Sequence, residues 1–196
     1  MPTNEDLIRR KEDLIRLYLD IEKRILDAQS DTGLDALHYV DYAKLMESAP
    51  KSILMGLLLE SVSKMSEADE QYRNAYTNIA RMGAYAFRYF ARKKSFELIH
   101  NIKRANSWWR FHWHLGSAEY LLNEANKKCD LGEDSLLRGE HLESIDYFKQ
   151  SISDSLDGLR GINEPPLWKT VLSWLTVIGG IVAATYAIIK IVNALH

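Results

Sequence analysis

Apolar residues recur along most of the chain at the three- and four-residue intervals of an amphipathic helix, and no stretch alternates as a strand would. Leu7, Leu14, Ile21 and Ala28 repeat every seven residues, with Tyr18 and Ile25 beside them, until Ser30-Asp31-Thr32-Gly33 ends the stripe. The pattern predicts a first helix capped by Thr3 or Asn4, with Glu5 and Asp6 in its opening turn, where the helix dipole favours negative charge. A heptad this short is expected to pack on its own domain and not to form a coiled coil. Asp31 or Thr32 can cap a second helix from Leu34, which is expected to stop at Ala49-Pro50 because the residue before proline avoids helical backbone.

A third segment covers residues 51–64. Its run Ile53-Leu-Met-Gly-Leu-Leu-Leu59 is too short to span a bilayer and reads as a central buried helix. Ser66 with Asp69 has the spacing of a capping box and opens a fourth helix to about Lys94. Along it, Tyr72, Tyr76, Ile79, Met82 or Gly83, Ala86 and Tyr89 or Phe90 follow the helical period. Ser95 is read as the start of a fifth helix, with Leu98, Ile102, Ala105, Trp109, Trp113, Gly116 and Tyr120 on one face. A further helix to about Leu137, a turn at Arg138-Gly139 and a last bundle helix over 140–159 complete the domain. Gly158 and Gly161 are expected to loosen the chain before Pro165-Pro166.

Beyond that linker the pattern changes. No charged side chain occurs over 171–189, while Lys169 and Lys190 flank the run and Trp168 and Trp174 sit near one end. A hydrocarbon core of ~30 Å takes about 20 helical residues to cross, so the length fits a membrane span with interfacial anchors. The predicted fold is all-α, a bundle of six to seven helices with a C-terminal transmembrane helix. Its parts are a cytosolic bundle over 1–160, a linker over 161–169, an anchor over 170–190 and a short tail over 191–196. Thr176, Gly179, Gly180, Ala183 and Ala184 give the anchor a small-residue face suited to pairing with a second copy in lipid.

Composition narrows the function. A net charge of -2 argues against a general nucleic-acid binder, and the single cysteine, Cys129, excludes an internal disulfide. The polar, acidic N-terminus lacks the features of a signal or transit peptide. Lys127 and Lys128 beside Cys129 would lower its pKa.

Leu131-Gly132, Gly139, Ser144, Phe148 and Ser151 fall on the Leu-Gly pair, glycine turn and small-aromatic-small positions of a tetratricopeptide repeat. The stretch over about 125–158 therefore resembles one such helical hairpin. Lys128 replaces the family's tryptophan, Leu156 replaces its closing proline, and no second copy precedes it. The resemblance implies paired helices brought close by small residues, with the aromatic between them, in a tail-anchored adaptor layout. Asn106-Ser-Trp-Trp-Arg110 is also similar to the Asn-Trp-Gly-Arg signature of Bcl-2-like apoptosis regulators, without its glycine.

Catalytic signals are sparse. Glu97-Leu-Ile-His100 has the Glu-x-x-His spacing of di-iron carboxylate bundles, with Glu60, Glu119 and Glu124 as further carboxylates, but no second such pair exists. No phosphate loop, nucleophile elbow or zinc motif is present, and neither cofactor nor metal is expected. The densest unusual stretch holds Trp108, Trp109, Arg110, Phe111 and Trp113, residue types that dominate interface hot spots and, for Trp, favour the membrane interface. Trp109 and Trp113 lie one turn apart on the apolar stripe and read first as core, whereas Trp108 and Phe111 lie off it and need another helix, a partner or the lipid surface to cover them. The five residues together are the candidate partner or membrane contact. The expected function is a non-enzymatic, tail-anchored adaptor that recruits a protein partner. The alternatives are a membrane-perturbing helical protein and a membrane-bound di-metal enzyme.

Overall fold

The computed structural model describes residues 4–108, 115–163, 171–172, 174–181 and 185, with side chains described from Lys11 onward except those of residues 38, 106–108, 115 and 163. Among the described residues the bundle consists of α1 (Asn4–Thr32), α2 (Val40–Ser61), α3 (Met65–Trp108), α4 (Leu115–Leu137) and α5 (His141–Asn163), with one 3-10 turn at Ala36–His38. No described residue is in a strand, as the helical periodicity predicts.

Helix α3 is the spine. Its 44 residues give a length of about 66 Å at ~1.5 Å each. Over residues 79–91 every side chain is buried or half-buried, so helices surround it instead of lying along one stripe. Small residues permit this: Ala80, Gly83, Ala84, Ala86 and Ala91 keep the spine thin where its neighbours converge. A Cβ at Gly83 would lie 2.7 Å from Ile145 Cδ1 of α5 and 3.0 Å from Ile21 Cγ2 of α1.

Cross-helix contacts fix the directions. Gly56 of α2 packs on the Tyr72 ring, whereas Tyr39, at the start of α2, stacks on Tyr89 with centroids 5.6 Å apart. Helix α2 therefore runs antiparallel to α3. On the other half, the hydroxyls of Ser95 and Ser155 lie 3.2 Å apart and Gly158 packs on Leu98, so α5 runs parallel to α3. Helix α4 returns antiparallel between them, tied by Arg88 to Glu133 at 2.6 Å and Lys128 to Asp154 at 2.6 Å. Two half-bundles thus share one spine, α1 and α2 toward its N-terminal end and α4 and α5 toward its C-terminal end.

The heptad stripe of α1 packs inward, with Leu14, Ile21, Ile25 and Ala28 all buried. Gly33 ends α1 in the left-handed region (φ 66°) and donates its N–H to the Gln29 carbonyl at 2.8 Å. Asp35, not Asp31 or Thr32, supplies the next cap: its carboxylate accepts from Leu37 N–H at 2.8 Å and opens the 3-10 turn. The α4–α5 hairpin has the close packing the repeat resemblance implies. Gly139 makes the turn at φ 82°, Phe148 is fully buried, and a Cβ at Gly132 would come within 2.7 to 3.0 Å of its ring.

Five expectations need correction. Helix α2 continues through Pro50 instead of stopping there. The proline forfeits one backbone hydrogen bond, at a cost of about 3 kcal/mol, which the burial of Tyr42, Ala49 and Gly56 in the bundle helps offset. Ile53 to Leu59 is not a central buried segment: Leu54, Met55, Leu57 and Leu58 face outward and only Gly56 is buried. Helix α3 passes Lys94 and Ser95 without a break, because Ser95 is buried and bonds across to Ser155 instead of capping a helix. Finally, α3 begins at Met65, with the Lys64 carbonyl accepting from Ala68 N–H at 3.0 Å, and Ser66 lies within its first turn. Gly158 and Gly161, expected to loosen the chain, lie inside α5.

Gly132→Val is expected to destabilise the protein by about 3 kcal/mol, since the buried Phe148 ring has nowhere to move. Gly116→Ala, with nothing within 4 Å, is expected to be neutral or to stabilise by up to about 1 kcal/mol. Urea unfolding of the two variants beside the parent checks the contrast.

Candidate docking groove and apolar tail

On the N-terminal half of the spine, α1 and α3 leave a groove of about 520 Å³. Leu14, Leu17 and the Tyr72 ring provide its apolar part, and Asp13, Arg73 and Tyr76 its polar rim. Successive α1 residues turn by about 100°, so Asp13 and Leu17 project from the flank opposite Lys11 and Ile15. Tyr76, expected on the buried stripe, is instead 48% exposed at the groove's edge. Tyrosine and arginine over an apolar floor is the composition that concentrates binding energy in protein interfaces.

The Tyr72 side chain is held from behind. Its hydroxyl donates to Glu60 Oε2 at 3.0 Å, and the same carboxylate oxygen pairs with the Lys11 ammonium. One acid thus ties α2 to both α1 and α3. The hydrogen bond from Lys11, joined by that from Tyr72 and opposed by burial, lowers the Glu60 pKa below its ordinary 4.5. Burial and the neighbouring Glu60 carboxylate both raise the Tyr72 phenol.

At the other end of α2, Tyr39, Arg88, Tyr89, Arg92 and Lys93 line a cleft of about 250 Å³. Glu133 holds Arg88 at 2.6 Å and Arg92 at 2.8 Å, and Lys93 lies 5.8 Å from the Tyr89 ring centre. This constellation joins α2, α3 and α4. Cys129 belongs to the same interior and is buried. Desolvation, then the Glu133 charge, raises its pKa, the reverse of the lowering expected from its lysine neighbours. Lys128 has turned away to pair with Asp154.

Trp108 closes α3, whereas Trp109, Arg110, Phe111 and Trp113 lie outside the described residues. In the tail, Thr176, Gly179 and Gly180 are helical and exposed, and Ala183 and Ala184 lie outside the described residues. Thr176 donates its hydroxyl to the Leu172 carbonyl at 2.8 Å, and no atom lies within 4 Å of where a Cβ at Gly179 or Gly180 would stand. Among the described residues no helix is long and apolar enough to cross a membrane, and much of the expected 170–190 span falls outside them. The Glu-x-x-His pair does not gather a site. Glu97 pairs with Lys94 at 2.6 Å, Glu60 is engaged as above, and the described residues hold no group of three or more metal-ligating side chains.

The Glu60 carboxylate gives a pH signature. Its folded pKa lies below the unfolded one, so its contribution is complete above about pH 4.5 and is lost as pH falls through the folded value. Glu60→Gln is expected to cost about 1 kcal/mol at neutral pH and to flatten the acid limb of the stability profile, read by urea unfolding across pH. Compared with protein-family models, curated proteins and solved structures, the chain has no match, so what it does rests on its own geometry.

Proposed function

We infer that this protein is a membrane-anchored adaptor whose helical domain recruits a protein partner and whose apolar tail fixes its location. The observation that carries the reading is the tail. Val171, Leu172, Trp174, Leu175, Val177, Ile178 and Ile181 are 52 to 65% exposed on a helical segment and cover more than half of its circumference, with Thr176 and Gly180 exposed on the remaining face. Contiguous apolar surface of this kind marks a membrane or partner contact, and the uncharged run continues in sequence to residue 189. Lipid is the environment that covers all sides of such a helix at once.

Recruitment is assigned to the α1–α3 groove, where Tyr76 and Arg73 stand at the rim of an apolar floor. Holding such a groove on a membrane raises the local concentration of whatever it binds, without any new contact. Two anchors can also pair through the face of Thr176, Gly179, Gly180, Ala183 and Ala184, where small side chains allow close approach.

Proximity labelling in the native host tests recruitment, comparing the parent with Arg73→Glu/Tyr76→Ala and with a chain ending at Glu164. The groove variant is expected to stay in the membrane fraction and lose a discrete partner set. The shortened chain is expected to leave the membrane fraction. Partners unchanged in the groove variant would remove the groove from the reading, and membrane retention of the shortened chain would remove the anchor. Gly180→Leu is expected to weaken pairing of anchors in a membrane two-hybrid assay, and an undiminished signal would exclude that face.

A further inference from the structure

The second large apolar surface belongs to α2, the turn after it and Met65, the first residue of α3. Leu54, Met55, Leu57, Leu58, Val62 and Met65 are 41 to 63% exposed, and Leu54 and Leu58 lie across α2 from Gly56, which packs on Tyr72 of α3. Lys11, Ile15 and Leu19 follow at four-residue intervals on α1, so the flank that meets Glu60 of α2 also carries Ile15 and Leu19, both about half exposed. We propose that this aliphatic face rests in the lipid interface, so that the domain lies along the membrane instead of standing on its anchor. The proposal rests on the anchoring reading and adds the second point of contact.

Three observations select lipid as the occupant. The first is chemical. The α2 face contains leucine, methionine and valine, with no tryptophan, tyrosine or arginine among its exposed large side chains. Protein hot spots are enriched in the missing types and poor in leucine and valine, whereas burial in acyl chains needs aliphatic area and no hydrogen-bond partner. The second is charge. The acids Glu47 and Glu67 at the borders are each paired with a lysine, Lys51 and Lys64, so neither of these two carboxylates stands alone against an anionic surface.

The third is geometry. Gly56 of α2 sits on Tyr72, and Gly158 near the end of α5 sits on Leu98. Those two spine residues are about 39 Å apart at ~1.5 Å per residue. An upright domain would hold the α2 face far from the bilayer. The chain between α5 and residue 171 spans at most about 25 Å when extended, at ~3.6 Å per residue, which is ample for the domain to lie down. The tether then supplies the local concentration that keeps the patch on the lipid. In that pose Asp13, Leu17 and the groove rim lie on the flank of α1 turned away from the α2 side, accessible to a partner.

The test uses the full chain in phosphatidylcholine and phosphatidylserine vesicles, with nitroxide placed at Leu58→Cys or, separately, Tyr76→Cys; Cys129 is buried and stays in place. Carbonate extraction of the same samples reports the anchor independently. The expected result is a carbonate-resistant chain in which the Leu58 label loses collisions with a water-soluble nickel chelate and gains them with oxygen, while the Tyr76 label remains open to nickel. A carbonate-resistant chain whose Leu58 label stays open to nickel overturns this proposal and leaves the anchor standing. Shielding that grows with the ratio of protein to lipid also overturns it, since a second copy would then be the cover. Release by carbonate overturns the anchoring reading and this one with it.

Discussion

A side chain at position 83 would force its neighbours to shift. Ile21 of α1 and Ile145 of α5 both close on Gly83, so three helices approach one another at a single backbone point. Around it Ala80, Ala84 and Ala86 are buried, and the larger Phe87 and Phe90 fill the space between the surrounding helices. Close-packed interiors tolerate little change of volume, so this thin stretch of spine sets the distances between its neighbours. The two half-bundles, the groove and the outward face of α2 all follow from what can be packed around that stretch.

Polar contacts then fix the helices in register. Glu60 draws α1, α2 and the Tyr72 side chain together, and Glu133 draws Arg88 and Arg92 of the spine to α4. Each of these acids is partly shielded from water and serves two partners, which holds it more firmly than an exposed pair. Glu60 fastens the C-terminal end of α2 and the stacking of Tyr39 on Tyr89 fastens its N-terminal end, which leaves the outer, aliphatic surface of α2 uncovered.

Two apolar surfaces remain after the bundle has formed, the outward side of α2 and the tail beyond residue 171. Between them they account for many of the exposed large hydrophobic side chains. The groove differs from both in carrying tyrosine and arginine at its rim. The proposed function divides them accordingly, assigning the aliphatic surfaces to lipid and the tyrosine- and arginine-rimmed groove to a protein partner.

The sequence by itself determined the helical class, the inward stripe of α1 and the Gly139 hairpin with Gly132 against Phe148. All are local: a period of 3.6 residues or a turn residue at a fixed spacing is readable without knowing the rest of the chain. Breaks were read in the same local way and were misplaced at Pro50 and Ser95, because burial against other helices outweighed a missing hydrogen bond and turned a capping residue into a cross-helix partner. Hydrophobicity likewise marked Ile53 to Leu59 as core, although only Gly56 among its outward neighbours is buried. Which side of an apolar helix is covered depends on how many neighbours reach it, and only the tertiary structure decides that. The groove was illegible for the same reason. Leu14 and Leu17 stand far in sequence from Tyr72 and Tyr76, and only the parallel packing of α1 on the spine brings them together.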